Sequence, residues 1–594
     1  MPPSPAHPSE PTRVPPTARA SGLGGRLSRR LLLGSAVAAP AAALVTPASA
    51  AAPAAAPVTP MSAGTSGAAS GGASRGRPPR DLSTQLLEEW AAAPGAHPLI
   101  PDVSYAGYRG GERPRRPRVV ANVKDFGAQP GVDSAAAFTA AVRYAGERGG
   151  GTVVVPAGIY RLDSPLWIHW SNVVLRGAGR DRTILHFTKP LEDSYRPNLQ
   201  PSLQSRWSWT GGQIWVMSAE RKAKSEAEGY ATSEGWLLGD TLAEVSAASR
   251  GQRTLLVSST EHLAAGDLVV LETDNPADAG VLKHLTGDVA GASGYDWPTR
   301  APQLTTGSGG QYIQYASLQW PVRIEAVLGE RLVRLAQPLR YDLRPSWPSR
   351  LREIGPTVHD VGVEGLTIRN ELRPMTIHNR HPGSNGLCFQ AVHDCWADDV
   401  RVENCDLGFG FTTTKAVTLT NVAVGGRSAH HSFACRMQAH DNLVDGFEIE
   451  QFTVPLPTGG LHHGLNLEGL SAGNVWRRGR MVEGTFDTHR AMPFENVRTD
   501  ITLVNNGRVG GSAASGPLFG ARIAHWNVRI TGGAPYAIHL ADVAPRSITV
   551  ALQGLTSAGS GLPRDFQGDL ENATYLLGET PAVPDLYAAQ RTCS

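Results

Sequence analysis

Along most of the chain, short apolar runs alternate with polar residues, and turn-forming residues separate the runs. Period-two alternation over a few residues marks a strand with one face toward a core. Between residues 121 and 187 the pattern predicts strands at Val153–Val155, Leu166–Ile168, Val173–Leu175 and Ile184–Phe187. Pro156-Ala157-Gly158 and Gly177-Ala178-Gly179 punctuate them as turns. Ahead of these strands, Asp133–Glu147 carries Ala137, Phe138, Ala141, Val142 and Ala145 at helical spacing and stops at Gly149-Gly150-Gly151. A helix followed by evenly spaced short strands predicts a cap on a solenoid. From Val358 the alternation returns in Val361–Asn370, Val400–Asn404, Val417–Val424, Phe447–Val454, Val475–Val482, Ile501–Asn506, Ile523–Thr531 and Ile548–Leu552. Spacings of roughly 20–30 residues suit one such strand per coil. Asn404, Asn421 and Asn505 fall at strand ends, where asparagine tolerates a left-handed turn.

Residues 200–350 break the pattern. They carry Trp207, Trp209, Trp215, Trp236, Trp297, Trp320 and Trp347, and the glycine-rich Gly307–Gly310. Thr254–Thr273 and Val322–Leu339 read as antiparallel hairpins, so this region is expected to be a β-rich insertion on the edge of the solenoid. Its tryptophans could stack on sugar rings, but filling a core is the expectation for any one of them.

Four motifs in order carry a resemblance. Asp125–Ala128 reads DFGA, the amphipathic helix follows, then Gly150–Tyr160 reads GGTVVVPAGIY and Ser171–Gly179 reads SNVVLRGAG. This segment resembles the N-terminal signature of the pectate-lyase-like superfamily, of the rhamnogalacturonase, epimerase and pectate lyase type. The resemblance implies an all-β chain built as a right-handed parallel β-helix, a single-stranded solenoid with an N-terminal capping helix and a β-rich insertion. The chain departs at the acidic turn, where the family often has a run of aspartates and Gly131-Val132-Asp133-Ser134 stands here. That removes any argument for a metal at the turn.

Composition and targeting frame this core. Arg29-Arg30 precedes an apolar run, Leu31–Val45, and Ala48-Ser49-Ala50 is a small-residue cleavage site. This is the pattern of a twin-arginine export signal, so a secreted, extracellular protein is expected. The run is too short to span a bilayer, which needs about 20 residues, and no membrane association is expected. The resulting layout is a signal over 1–50, a disordered Ala/Pro/Gly/Ser linker over 51–80, an N-terminal segment and first coils over 81–199, the insertion over 200–357, the main coils over 358–560 and a tail over 561–594. Lys plus Arg number 55 against 53 Asp plus Glu, with no basic block after the signal, which argues against nucleic acid. Five cysteines, Cys388, Cys395, Cys405, Cys435 and Cys593, are too sparse for a disulfide framework and show no zinc spacing. No cofactor and no metal are expected, and no oligomeric state is specified.

The polar residues hardest to assign to structure gather in three successive coils. One holds His430, His431, Arg436, His440 and Asp441; the next His462, His463, Asn466 and Glu468; the third Asp487, His489, Arg490, Glu495 and Asn496. Imidazoles recurring at about the coil length would stack near one another on a face whose groove suits an extended polymer. In β-elimination at a uronic acid, a base removes the proton α to the carboxylate while cationic or neutral donors stabilise the enolate. His463, His489, Arg490 and Asp487 are the expected catalytic group, with Arg436, His440, His462, Asn466, Glu468 and Glu495 on the substrate. Glycoside hydrolysis is the alternative and needs two carboxylates roughly 5–10 Å apart, which Asp487 with Glu468 or Glu495 could supply. Asp398-Asp399 and His462-His463-Gly464 resemble polygalacturonase motifs, but the other motifs of that family are missing. Calcium-assisted elimination needs clustered acidic ligands, and none stand together in the sequence. The expected function is therefore a secreted enzyme that cleaves an acidic polysaccharide, more as a lyase than as a hydrolase. A non-catalytic glycan-binding solenoid is the reading from a different class.

Overall fold

A computed structural model of the chain describes residues 81–198, 204–230, 235–297, 303–304, 313–314, 317–458, 460–507, 510–511, 516–533, 538–554, 562 and 564–593. The signal expected over 1–50 and the linker over 51–80 lie outside the described residues.

The alternating segments stack into one long parallel sheet. Val119–Asn122, Gly151–Val154 and Val173–Arg176 lead into Gly362–Asn370, Trp396–Glu403, Thr418–Gly425, Leu443–Ile449, Val475–Met481, Val497–Asn505, Ala524–Gly533, Ile548–Val550 and Ala573–Tyr575. From Gly362 onward the step from one strand to the next ranges from 22 residues, Trp396 to Thr418, to 34, Gly362 to Trp396. Between these strands the chain lays down a second parallel sheet: Leu166–Ile168, Ile214–Val216, Leu387–His393, Leu407–Lys415, His431–Arg436, Leu465–Leu467 and Phe486–Thr488. Between Gly362 and Asn505 each coil adds one strand to each sheet, and the coil turns right-handed, as a parallel crossover does. The chain is a right-handed parallel β-helix.

The core lies between the sheets. Ile214, Leu387, Phe409, Phe433, Leu465 and Phe486 pair in register down the second sheet and are buried, with Phe409 stacked on Phe433 at 5.3 Å. Each fully buried side chain of this size is worth about 1.5–3 kcal/mol. At the turns, Asn442, Asn474 and Asn496 form a buried ladder, each Nδ2 of one coil donating to the Oδ1 of the next at 2.8 Å. The cap helix spans Ala135–Gly146 and buries Ala137, Phe138, Ala141, Val142 and Ala145 over the first strands. These are the five positions read from its spacing.

Val174 pairs with Gly362, and Trp215 with Cys388, so residues between Val216 and Val358 loop out without interrupting the stack. They form an antiparallel sheet ordered Leu238–Glu244, Ser349–Ile354, Leu268–Asp274, Ser317–Gly329, Leu332–Leu335 and Thr254–Leu256. Ser317–Gly329 and Leu332–Leu335 make one of the two expected hairpins. The other is corrected. Thr254–Leu256 pairs with Leu332–Leu335, and Leu268–Asp274 pairs with Ser317–Gly329 and Ser349–Ile354. The link between the two segments is a connection across the sheet, which local alternation cannot distinguish from a hairpin. Trp207, Trp215, Trp236, Trp297, Trp320 and Trp347 are buried, as core residues rather than sugar platforms.

Residues 82–108 and the helix Leu586–Cys593 cover the outer face of the long sheet. Leu86, Trp90, Ile100, Val103 and Ala106 pack with Leu443, Val475, Val497, Ala524, Ile548, Leu586 and Tyr587. The two segments also bind each other. Gln590 accepts from Val103 N at 3.0 Å and donates to Pro101 O at 2.9 Å, Val583 N donates to Ser83 Oγ at 3.0 Å, and Tyr587 donates to Ala106 O at 2.9 Å. Among the described residues no helix is long and apolar enough to cross a membrane, and Cys395, Cys405, Cys435 and Cys593 are free thiols.

Candidate functional site

Strand alternation fixes which side chains leave the core. In the second sheet, Ile214–Leu387–Phe409–Phe433–Leu465–Phe486 and Val216–Phe389–Phe411–Cys435–Leu467–Thr488 are rows that face inward. The row between them faces outward: Trp215, Cys388, Gly410, Ala434, Asn466 and Asp487. It grades from an aromatic end through small residues to a polar end. The loop between Asn370 and Leu387 folds over this face, held by Asp406, whose Oδ2 accepts from Gly383 N at 3.1 Å and Ser384 N at 2.8 Å. Asp406 also pairs with Arg427, and its carbonyl accepts from His430 N and His431 N at 3.0 Å each.

Asp487 is the polar hub. Its Oδ2 accepts from Asn466 Nδ2 at 2.7 Å and His489 Nδ1 at 2.9 Å, with His463 Nδ1 at 3.3 Å, and its Oδ1 accepts from Gly510 N at 2.9 Å. Asp487 is fully buried, whereas the His489 side chain is 25% exposed and reaches solvent. Burial would raise the carboxyl pKa of Asp487, but His463 and His489 outweigh it and hold the group well below the usual range. For His489 burial disfavours the proton, and Asp487, by charge and hydrogen bond, with help from Glu468, lifts the net pKa above its ordinary value. Beneath the hub, inside the coil, Arg498 lies 4.8 Å from the Phe486 ring. Its Nη2 is 3.3 Å from the Asp487 carbonyl and its Nη1 3.1 Å from His525 Nε2. Burial brings Arg498 down to about 9, against the pull of the Asp487 charge.

Six imidazoles crowd this end of the face. His431 stacks on His463 at 4.9 Å, His463 meets His489 edge-on at 4.8 Å, and His381 stacks on His430 at 4.4 Å. His378 lies 4.9 Å from His430 and 5.8 Å from His463. Burial, reinforced by neighbouring imidazoles, pushes His378 down to about 4 and His430 and His431 well below their ordinary value. Two sets could hold a metal: His431, His463, Asp487 and His489, and His378, His430 and His463, with ligand atoms within 4.8 Å of one another in each set. The expectation of no metal site did not foresee these two sets. It rested on sequence spacing, and these ligands come from three coils and a loop.

Of the residues singled out in the sequence, the structure brings together His463, His489, Asp487 and Asn466. Arg436 and Glu468 stand beside them as an ion pair, with Arg436 Nη1 also donating to Trp209 O at 3.0 Å. Four others are placed elsewhere. Arg490 turns away to Asp565 Oδ1 at 3.0 Å and the carbonyls of Gly516 and Gly511 at 3.1 and 3.2 Å. The cause is local: Arg490, Ala491 and Met492 take φ of 72°, 56° and 53°, a left-handed turn that swings the chain off the sheet. His462 flanks the site, buried against Phe452 with Nε2 2.9 Å from Ser432 Oγ. His440 and Glu495 belong to the seam between solenoid and insertion. His440 Nε2 is 3.0 Å from Gln319 O. Glu495 accepts from Arg522 Nε at 2.6 Å, Arg250 Nε at 2.9 Å and Arg340 Nη1 at 3.0 Å, while Asp441 pairs with Arg340 and Lys415. His378 and His381 were missed because they sit in a loop without periodicity. Arg498 was missed because nothing local marks a guanidinium that points inward.

A coiled parallel scaffold with a polar cluster on its outer face defines the class: a right-handed parallel β-helix protein. Residues 120–236 match the family model described as rhamnogalacturonase A/epimerase, pectate lyase-like. No curated protein matches the chain. Similar solved structures include the tailspike protein gp49 from Pseudomonas phage LKA1, at 15% identity and a TM-score of 0.42, covering 73% of this chain and 64% of that one. The A-module of the Azotobacter vinelandii mannuronan C-5 epimerase AlgE4 is 14% identical with a TM-score of 0.25, covering 77% of this chain and 87% of that one. The Yersinia enterocolitica family 28 exopolygalacturonase is 14% identical with a TM-score of 0.24, covering 78% of each. The chain thus spans under two thirds of the tailspike's length.

Proposed function

We propose that the chain is a secreted carbohydrate-active enzyme that cleaves a uronate-containing polysaccharide by β-elimination, with His489 as the proton-transfer group. The observation that carries this reading is the His489–Asp487 pair at 2.9 Å, its carboxylate buried and its imidazole reaching solvent. In this reaction the base takes the proton at C5, the C4–O bond to the leaving sugar breaks with its electrons going to oxygen, and a C4=C5 double bond forms. Asp487 orients the imidazole and stabilises its protonated form. Arg436, close enough to act on the His489 charge, would meet the substrate carboxylate by exchanging its Glu468 partner for it.

The carboxylate-pair alternative fits less well. A hydrolase needs one carboxylic acid to give a proton and one free carboxylate to attack or to activate water. Asp487 is held ionised with its oxygens engaged by Asn466, Gly510 and His489, and Glu468 is tied to Arg436. Glu495 is locked among three arginines. The match of residues 120–236 to a family described as rhamnogalacturonase A/epimerase, pectate lyase-like, supports a carbohydrate substrate. Export through a twin-arginine signal rests on Arg29-Arg30 and the apolar run after it.

Incubation with a panel of uronate polymers tests the reading. Ultraviolet absorbance from an unsaturated product is expected, and His489→Ala should lower turnover by roughly 10²–10⁴-fold, the usual weight of a general base. New reducing ends without that absorbance would mean hydrolysis, and tight binding with neither product would mean a non-catalytic solenoid.

A further inference from the structure

The two candidate metal sets share His463 but differ in how well their atoms are already satisfied. In the set built on Asp487, the carboxylate is saturated by Asn466 Nδ2, Gly510 N and the imidazoles of His489 and His463. A cation there would have to displace hydrogen bonds that hold the hub. The other set is the reverse. His430 is 1% exposed, its Nδ1 lies 2.9 Å from Ser208 O, and its Nε2 has no partner. Donation from Nδ1–H to that carbonyl fixes the tautomer and leaves a buried lone pair on Nε2. His463 places Nδ1 3.3 Å from Asp487 Oδ2, so donation to that carboxylate leaves its other nitrogen as the ligand. His378 completes the group, with its buried Nδ1 also without a partner.

We infer that His378, His430 and His463 form a binding site for a divalent transition metal of the zinc type. Three imidazoles with ligand atoms inside 4.8 Å are a borderline-soft donor set, suited to Zn²⁺ and its neighbours rather than to Ca²⁺ or Mg²⁺. Two of the three rings have the outer partner such ligands need. A backbone carbonyl stands behind His430 and a carboxylate behind His463, each fixing ring orientation and raising ligand basicity. A burial cost otherwise falls on an unsatisfied imidazole nitrogen, and a metal removes it. His378 lies in the covering loop and is half-buried, which gives the ion a way in. Binding would pin that loop to the His431–Arg436 and Leu465–Leu467 strands. It would also hold His463 against the same Asp487 oxygen that meets His489. Three protein ligands leave a coordination position for water or a substrate oxygen.

The site does not depend on the proposed reaction, and its test reads the metal rather than activity. Tag-free protein is stripped with a chelator and titrated with Zn²⁺ by calorimetry and with Co²⁺ by visible absorption. About one equivalent should bind, with the intense d–d bands of a tetrahedral or five-coordinate site. His378→Gln, on the half-buried loop, should weaken Zn²⁺ binding by at least about 100-fold without loss of fold, and His430→Gln should do the same. His489→Gln should keep one equivalent. Absence of binding by both ions would overturn the inference. So would loss of binding in His489→Gln with retention in His378→Gln, which would move the metal to the Asp487 set.

Discussion

Two buried polar clusters in this molecule make opposite use of burial. At the seam, Asp441 and Glu495 are enclosed by Arg250, Arg340, Arg522 and Lys415, and each carboxylate has at least two cationic partners. On the outer face of the second sheet six imidazoles crowd together, with His463 and His489 on the Asp487 carboxylate, and His381, His430 and His431 keep ring nitrogens without a partner. Leaving a buried polar atom unpaired costs about 1–3 kcal/mol, and a chain has no structural reason to repeat that cost several times in one place. The seam is therefore a joint, and the imidazole cluster is the candidate site. That difference separates Glu495 and His440 from His463 and His489, four residues that look alike in the sequence.

The contrast can be broken first at its hubs. Asp487→Asn removes the charge behind His489, so turnover per folded molecule should fall by roughly 10²–10⁴-fold. A variant that unfolds but retains its specific activity when folded would make Asp487 a structural ion. Glu495→Ala should do the converse. Removing it strands the Arg250 and Arg522 guanidiniums, while Arg340 keeps Asp441, and should cost about 3–5 kcal/mol in denaturant unfolding, with activity per folded molecule retained.

Acid sharpens the comparison. Burial holds His462 neutral down to about 3 and His378 down to about 4, with His430 and His431 well below their ordinary value. The unfolded chain takes up those protons near pH 6.5, so it binds more protons than the folded chain below that point. Stability from these rings is complete above pH 6.5 and falls as pH drops, by about 2 kcal/mol for His462 alone at pH 5. At the seam, burial opposes ionisation, but the surrounding cations hold Asp441 and Glu495 at about 2, so their contribution is lost only as pH falls below the ordinary carboxylate values toward 2. His440, held at about 3 by burial, adds one imidazole to that side. Thermal melts from pH 8 to 3 should therefore decline from about pH 6.5. A midpoint that stays flat down to pH 4.5 would contradict neutral buried imidazoles.

The smallest effect concerns Arg490, which belongs to neither cluster. Arg490→Lys should cost about 1 kcal/mol by weakening its bonds to Asp565 and two carbonyls, and should leave KM unchanged. A raised KM would return Arg490 to the substrate.

Much of the scaffold was legible because one sheet keeps a clean alternation. The segments read at Val361–Asn370, Val475–Val482 and Ile501–Asn506 fall on strands Gly362–Asn370, Val475–Met481 and Val497–Asn505. Asn404 and Asn421 do adopt positive φ, at 57° and 53°. The second sheet was harder to see. Leu387–His393 and Leu407–Lys415 are buried at every position, because covering loops press on the face that would otherwise be solvated. Alternation disappears when both faces are covered. Within the site, recurrence at the coil length found His463, Asp487 and His489, since stacking brings equivalent positions together. It could not find His378, which arrives by a loop, or reject Arg490, one residue from His489 but across a left-handed turn.

A stack of coils held only by nearest neighbours is a one-dimensional lattice, and such a lattice frays or peels from its ends. Here Ser83 and Val583, 500 positions apart, are bonded, and Gln590 is bound to both Pro101 and Val103. The lattice is closed into something nearer a ring. A force pulling the two ends apart would load this clasp before any coil, and several hydrogen bonds would share that load. Peeling would start only after they gave way. The molecule is thus a solenoid in its repeats and a buckle in its mechanics.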